Sequence, residues 1–576
     1  MKLSDYLAEF LHERVADVVF GYQGSSVCHI IDSISNQPEL TFVETRHEQG
    51  AAFAANAYAE VHRSAGIAVA CSGPGAINLV TGIANAFYDS IPCLFICGQV
   101  STGELRTNLQ MRQLGFQETD IVGMVHGISK YAVQIDHPER IAYELEKAVW
   151  HMWEGRPGPV LLDIPHNVQR SEVDPQSMEH FNAPEREATI DQTVFAEIET
   201  AMNNAKRPLI LLGGGCCQLY RHPELRAFLG GLKAPIVVSY RGRDVWASED
   251  ANYCGVIGAY GNRAANWAVH YSDVLLCLGS RLDGRQTGGD MDSFAPNADL
   301  FVVDIDPIEV QEKPKRVRGI CMNAIDFLTV LSTRGRLKPT DGHWCEVVQK
   351  WQMRMPISMD YKLPGVNPNR LAEHLGRIAN SGTVFTTDVG QNQIWVNASL
   401  VLKQGARLLQ SCGLGSMGYA LPAAIGASFA QPGRPVICLC GDGGFQMNMQ
   451  EMQVIQLYRL PVKVFVLDNR SLGLIRVYQD KALGKRLNGS VKGFGSPAYE
   501  ELARAYGFEY IRIEGDVDDD TLCAMVESPA PLLVEVCISK DSTCCPEPTY
   551  MQTVENQSPL LSDTMLEQME REAENI

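Results

Sequence analysis

The chain alternates short, unbroken apolar runs with longer stretches whose apolar residues recur at helical spacing. In the N-terminal third the runs are Val18-Val19-Phe20, Gly66 to Ala70, Cys93 to Ile96 and Val160 to Ile164. They lack the in–out polar alternation of a half-exposed strand, which predicts strands covered on both faces, as in parallel sheets. The stretches between them, such as Glu48 to Val61, carry the helical period. Together they predict an α/β fold of doubly wound parallel sheets. The rhythm pauses at residues 171–190, with Pro175, Pro184 and five acidic residues, and again at 333–343, with Gly335, Pro339 and Gly342. Both read as linkers. Three sequential domains are expected, at 1–170, 190–332 and 345–545, followed by a tail at 546–576.

Length and composition narrow the class. A chain of 576 residues suits three or four domains. Hydrophobic residues at 45% and charged residues at 20% exclude a disordered or collagen-like chain. The excess of 68 acidic over 49 basic residues argues against a nucleic-acid or anionic-membrane partner. No apolar run approaches the ~20 residues a bilayer span needs, and Glu9, Glu13 and Arg14 fall where a signal peptide keeps an apolar core. A cytoplasmic location is expected. The 17 cysteines lie largely in apolar runs (Cys93, Cys97, Cys277, Cys438, Cys440) and form no C-x-x-C pair. Buried free thiols are expected, rather than zinc ligands or disulfides.

Chemistry concentrates in the third block. Pro435 to Cys440 reads as a buried strand ending in Gly441-Asp442-Gly443-Gly444; a helical stretch, Phe445 to Tyr458, follows. A second strand, Pro461 to Leu467, ends in Asp468-Asn469. Both polar clusters thus sit at carboxyl ends of neighbouring strands, where α/β sheets bind ligands. Glycines around Asp442 allow close backbone approach to a phosphate, and the helix behind them offers free N–H groups. The Asp442 carboxylate and the Asn469 amide oxygen are hard donors suited to Mg²⁺. Asp-Gly after a strand is by itself a common turn. The interval to Asn469, room for one helix and one strand, adds to the signal.

These motifs resemble those of the thiamine diphosphate (ThDP) enzymes, in which a GDG turn is followed at about this interval by Asn. The resemblance implies Asp442, Asn469 and the Ser471 carbonyl as Mg²⁺ ligands, with Gly441, Gly443, Gly444 and Leu472 at the cofactor. Asp468 departs from the Asn that often precedes the ligating Asn. In the first block, Arg46-His47-Glu48-Gln49-Gly50-Ala51-Ala52 resembles the family's catalytic segment and implies that Glu48 activates the cofactor's aminopyrimidine. An active site between subunits of a homodimer or homotetramer is implied as well.

Within the family the chain looks most like acetolactate (acetohydroxyacid) synthase catalytic subunits. Ser72-Gly73-Pro74-Gly75-Ala76-Ile77-Asn78, Gly98-Gln99-Val100 and Gly115-Phe116-Gln117-Glu118 are similar to its landmarks. Gly390-Gln391-Asn392-Gln393-Ile394-Trp395 resembles its GQHQMW, with Asn392 in place of His. In Gly413-Leu414-Gly415-Ser416-Met417-Gly418, Met417 falls where a bulky residue props the cofactor into its bent shape. Asn78, Gly390 to Gln393, Gly415 and Met417 are therefore implied cofactor contacts. Gln23, Gly24 and Ser25 are implied around the reacting carbon, Gln117 in contact with substrate, and Lys130 at a lysine of the substrate channel. In the middle block, Leu278 to Gly288 and Leu300 to Pro307 resemble the synthases' FAD-binding stretches, which implies Arg281, Arg285, Asp304 and Asp306 at a largely structural FAD.

The implied activity is that of a transferase or lyase: decarboxylation of a 2-oxo acid, pyruvate, and ligation of the two-carbon unit to a second carbonyl. The departures cluster at the acceptor. Tyr478 stands where the synthases carry a Trp, Arg476 replaces an apolar neighbour, and Gln23 replaces a Pro. They favour a more polar acceptor, a sugar or an aldehyde, as the alternative, alongside a flavin-using oxidase of the pyruvate oxidase type. The tail from Cys545-Pro546 onward does not match the synthases' capping tail.

Overall fold

The computed structural model describes residues 1–108, 110–184, 192–357, 363–549 and 552–576. The second half of the first expected linker, including the boundary at 190, and Tyr550 of the tail lie outside the described residues.

Eighteen strands form three six-stranded sheets in which all pairings are parallel. The first contains β1 (Val18–Gly21), β2 (Thr41–Glu44), β3 (Gly66–Ala70), β4 (Cys93–Gln99), β5 (Tyr131–Gln134) and β6 (Val160–Pro165), in the order β2-β1-β3-β4-β6-β5. The second contains β7 (Pro208–Leu212), β8 (Ile236–Val238), β9 (Tyr253–Val256), β10 (Val274–Leu278), β11 (Asp299–Asp304) and β12 (Val317–Cys321), in the order β12-β11-β10-β7-β8-β9. The third contains β13 (Val384–Thr387), β14 (Arg407–Gln410), β15 (Val436–Gly441), β16 (Val462–Asp468), β17 (Glu509–Ile513) and β18 (Leu532–Cys537), in the order β14-β13-β15-β16-β18-β17.

The first and third sheets share one winding. In each, the chain reverses direction across the sheet, between β1 and β3 and between β13 and β15, and opens a crevice at the strands' carboxyl ends. Strands β3, β4, β6, β10 and β16 bury every residue, which explains their nearly continuous apolar sequences; Asp163 in β6 and Lys463 in β16 are buried exceptions.

The helix Glu48–His62 packs on the helix Ala420–Ala430 of the third sheet. Their sequences are rich in Ala and Gly because the backbones nearly touch: a Cβ on Gly426 would lie 2.0 Å from the Ala54 carbonyl oxygen. One apolar core consequently runs through both layers, from Val19 and Ile67 to Cys438 and Val464.

Where the three sheets' layers meet, charges are buried in pairs. Arg241 lies 2.6 Å from Glu60, and Arg407 lies 2.5 Å from Asp244 while also donating to the Glu60 carbonyl at 2.7 Å. The Glu60 side chain is only 4% exposed and its Oε1 has no partner, so it depends on Arg241. Arg241→Met is expected to cost about 3–5 kcal/mol, because a buried carboxylate is left uncompensated. Urea unfolding checks this, and a cost within error of zero would remove the network from the account of domain packing.

All 17 cysteines are free, and no helix among the described residues is long and apolar enough to cross a membrane.

Candidate active site

The Gly441-Asp442-Gly443-Gly444 turn joins β15 to the helix Asp442–Asn448, and Asn469 follows β16. Asp442, Asn469 and Ser471 are all buried. Asp442 accepts from the Gly443 N–H at 2.8 Å and the Ser471 N–H at 3.1 Å. Asn469 Nδ2 donates to Gln391 Oε1 at 2.9 Å and to Ser542 Oγ at 3.1 Å, which turns Oδ1 toward Ser471. One carboxylate and one oriented amide oxygen are thus gathered about the Ser471 N–H. Burial, and then the neighbouring Asp468 carboxylate, push Asp442 up to about 8.

Met417 and Leu472 close over the same turn: a Cβ on Gly443 would meet Leu472 at 2.4 Å and Met417 at 3.2 Å. Beneath it lies Asp388, after β13, which the sequence reading did not single out. Its carboxylate accepts from the Gly418 N–H at 2.9 and 3.0 Å, and burial raises it to about 7. An acid at the carboxyl end of a strand, two residues before Gly390, was the available signal.

The remaining third-block residues act behind this front. Gln391 holds Asn469 and donates to the Ser542 carbonyl at 2.9 Å. Asn392 donates to the Asp388 carbonyl at 2.6 Å. Gln393 donates to the Ser411 carbonyl at 3.0 Å and accepts from Arg285 at 3.2 Å. All three are buried, so they brace the site. Gly390 and Gly415 adopt positive φ, 141° and 72°, at the adjoining turns.

Glu48 opens its helix after β2, capped by the His47 ring, which accepts from the Gln49 N–H. It is 8% exposed, and its Oε2 accepts from Asn78 Nδ2 at 2.9 Å. A Cβ on Gly75 would sit 3.0 Å from Glu48 Oε1 and 2.9 Å from Cys71 Sγ, so a thiol not anticipated from sequence shares the crevice. The Gln23–Ser25 loop follows β1 at the same sheet end. Its Gln23 side chain turns back onto the Gly24 N–H, and Gly24 abuts Cys71. Gln117, at φ 67°, packs on Gly73. The two halves are tied within the chain: Glu451 accepts from the Arg46 N–H at 3.0 and 3.1 Å, and Asn448 donates to Gln49 at 3.1 Å.

Lys130 does not join this crevice. It precedes β5, at the amino end of a parallel sheet whose carboxyl end carries Glu48, and its ammonium donates to the Glu154 carbonyl. Arg476 donates to the Ser542 carbonyl, while its Nε is buried without a partner. Tyr478, two residues along the same helix, is 63% exposed.

The sequence matches the family models described as "Thiamine pyrophosphate enzyme, N-terminal TPP binding domain" over residues 1–124, "central domain" over 195–331 and "C-terminal TPP binding domain" over 388–536. The chain belongs to the thiamine pyrophosphate enzymes. It is 34% identical to the acetolactate synthase large subunit of Pyropia yezoensis, over 92% of this chain and 90% of the relative. It is 32% identical to the acetolactate synthase isozyme 2 large subunit of Escherichia coli (strain K12), over 94% of this chain and 96% of the relative. Identity to the probable acetolactate synthase large subunit of Methanocaldococcus jannaschii is 34%, over 93% and 92%.

This thiamine pyrophosphate enzyme has a cavity of about 420 Å³ where the middle sheet faces the other two. Gly215, Arg241, Arg281, Arg285 and Asp304 line it. Gly215 approaches Gly279 so closely that a Cβ would lie 2.7 Å from the Gly279 Cα. Arg281 pairs with Asp283 at 3.1 Å, and Arg285 lies over the Tyr240 ring. Asp306 does not line the cavity. It caps the helix Pro307–Gln311, accepting from the Ile308 N–H at 3.0 Å, and lies 3.7 Å from Arg156.

Proposed function

We propose that the chain is an acetolactate synthase-like enzyme that decarboxylates pyruvate and ligates the two-carbon unit to a second carbonyl compound. The observation that carries this reading is a buried, cation-deficient Asp442 beside an oriented Asn469, on the same chain as a buried Glu48. Asp442, Asn469 and the Ser471 carbonyl would hold Mg²⁺ and, through it, the cofactor diphosphate. Bound ThDP would supply a nucleophilic carbon for the 2-oxo acid carbonyl and an electron sink for loss of carbon dioxide. Glu48 would exchange a proton with the aminopyrimidine ring nitrogen, while Asn78 holds the carboxyl group in place. Met417 and Leu472 would fix the cofactor's bend, and Gln23 to Ser25 and Gln117 would border the reacting carbon.

The central cavity suits FAD. Its glycine approaches accommodate a diphosphate, and Arg241 Nε is buried there without a protein partner. Arg281 and Arg285 would face the diphosphate and Asp304 the nucleoside. Anaerobic pyruvate is expected to leave the flavin spectrum unchanged; stoichiometric bleaching would make the protein an oxidase instead.

For the acceptor, the buried, unpartnered Nε of Arg476 supports a second reading, in which a polar sugar or aldehyde replaces the short-chain oxo acid. Mass spectrometry of products from pyruvate with an acceptor panel separates the two. Exposed Phe116, Met447, Ile475 and Tyr478 support assembly as a dimer or tetramer with active sites between subunits. Light scattering tests this.

A further inference from the structure

The tail has no role in the chemistry above, yet it is firmly placed. Its helix, Asp563–Glu574, buries Met569 and Ala573 in the apolar cluster that holds Trp344 and Trp351. Glu572 accepts from Arg354 at 2.7 and 2.8 Å and from the Trp351 indole at 2.8 Å. Arg207 donates to the Ala573 carbonyl at 3.1 Å.

Ahead of that anchor, the tail is hydrogen-bonded to one loop of the central domain and the helix that follows it, and packs against a second loop. Gln557, 2% exposed, donates through one Nε2 to the carbonyls of Ala259 at 3.1 Å and Gly261 at 3.0 Å. Asn266 bridges the carbonyls of Gly258, at 2.9 Å, and Val554, at 3.1 Å. Arg263 donates to the Pro559 carbonyl at 2.8 Å. Glu555 lies 2.9 Å from His270, and Val554 is 3.3 Å from the position of a Cβ on Gly288.

Both loops are walls of the central cavity. Ile257, Ala259 and Tyr260 line one side, and Asp283, Arg285 and Gln286 the other. They meet where the Ala259 N–H donates to the Arg285 carbonyl at 2.8 Å. The first wall is irregular, turning at Gly258 with φ 113°, which glycine adopts freely. The tail holds two of its carbonyls, those of Ala259 and Gly261, although neither Gln557 nor any other described tail residue lines the cavity.

We propose that residues 552–576 are a strap that holds both cavity walls in their binding conformation, so that the C-terminal tail sets the affinity of the central domain for a nucleotide diphosphate. This rests on the FAD reading given above. Gln557 is then a positioning residue, acting through backbone carbonyls on the loops that carry Tyr260 and Arg285.

The test is made on the full-length chain, stripped of flavin and titrated with FAD and, separately, with ADP, with Mg²⁺–ThDP as the control ligand. Gln557→Ala is expected to weaken FAD by about tenfold, the loss typical when a buried hydrogen-bond partner is removed. Gln557→Glu matches the size of Gln and restores any packing contribution, yet it sets a carboxylate against two carbonyl oxygens. It is therefore expected to weaken FAD further, whereas a space-filling role would leave it near wild type. Mg²⁺–ThDP affinity should not change in either variant, even where the lost buried hydrogen bonds or the buried carboxylate lower the melting temperature. If Gln557→Glu does not accumulate, Glu555→Gln loosens the same strap at His270 and should also weaken FAD selectively. Unchanged FAD affinity in the variants overturns the strap. If the wild type binds ADP but not FAD, the flavin reading fails, and weaker ADP binding by Gln557→Glu still upholds the strap. Wild-type protein that binds neither overturns both.

Discussion

Glu48→Gln is expected to leave the fold and Mg²⁺–ThDP binding intact while lowering turnover by about 10²–10⁴-fold, the range general acid–base groups supply. The substitution is close to isosteric, and the amide oxygen of Gln can still accept from Asn78, so the crevice keeps its shape. What disappears is a group that can take and return a proton. Glu48 suits that task because it is buried at a helix start, with one oxygen held by Asn78 and the other beside Gly75 at the crevice wall. Steady-state rates with pyruvate, together with calorimetric titration of the cofactor, provide the check. Full turnover in a folded, cofactor-bound variant would withdraw Glu48 from catalysis. Asn78→Ala offers a graded comparison: the acid remains but loses its orientation, so its loss should be smaller.

The parallel strands could be read directly from sequence because burial on both faces removes polar alternation. Val18–Gly21, Gly66–Ala70 and Val462–Asp468 fall where the apolar runs predict. The start of the Glu48 helix and the turn around Asp442 are likewise where local chemistry requires them. Other features depend on packing between distant segments. The expected helix from Phe445 to Tyr458 breaks at Asn448, passes through a tight turn at Met449–Glu451 and resumes at Met452. The break swings Asn448 and Glu451 onto the start of the Glu48 helix, and no spacing in the sequence announces that contact. Lys130 lies at the amino end of the first sheet, a placement that motif order along a chain does not announce. Asp306 caps the helix Pro307–Gln311, and Asp-Pro is a local signature of such a helix start.

Asp442→Ala should abolish stable binding of Mg²⁺–ThDP, raising the dissociation constant by at least about a hundredfold, since a hard dication with few protein ligands depends on each of them. The geometry singles out Asp442 from its neighbours. Its carboxylate is buried with two N–H donors and another acid nearby, an arrangement short of positive charge. Asp468 contributes to that deficit, but its Oδ1 accepts from the Arg470 N–H at 3.1 Å and the Ser496 hydroxyl at 2.8 Å and its Oδ2 lies 3.8 Å from Arg470 Nε, which draws it away from a metal. Asp468→Asn is therefore expected to bind the cofactor nearly as the wild type does, and Asp442→Asn, keeping one oxygen but losing the charge, to fall between. Without cofactor, Asp442→Ala should fold at least as well as the wild type, because a buried carboxylate deprived of a cation is a cost in the native state. Calorimetry with Mg²⁺–ThDP and thermal melts with and without it measure both effects. The wild type should gain melting temperature on cofactor addition and Asp442→Ala should not. Wild-type affinity in Asp442→Ala, or its loss in Asp468→Asn alone, would transfer the metal site from the first acid to the second.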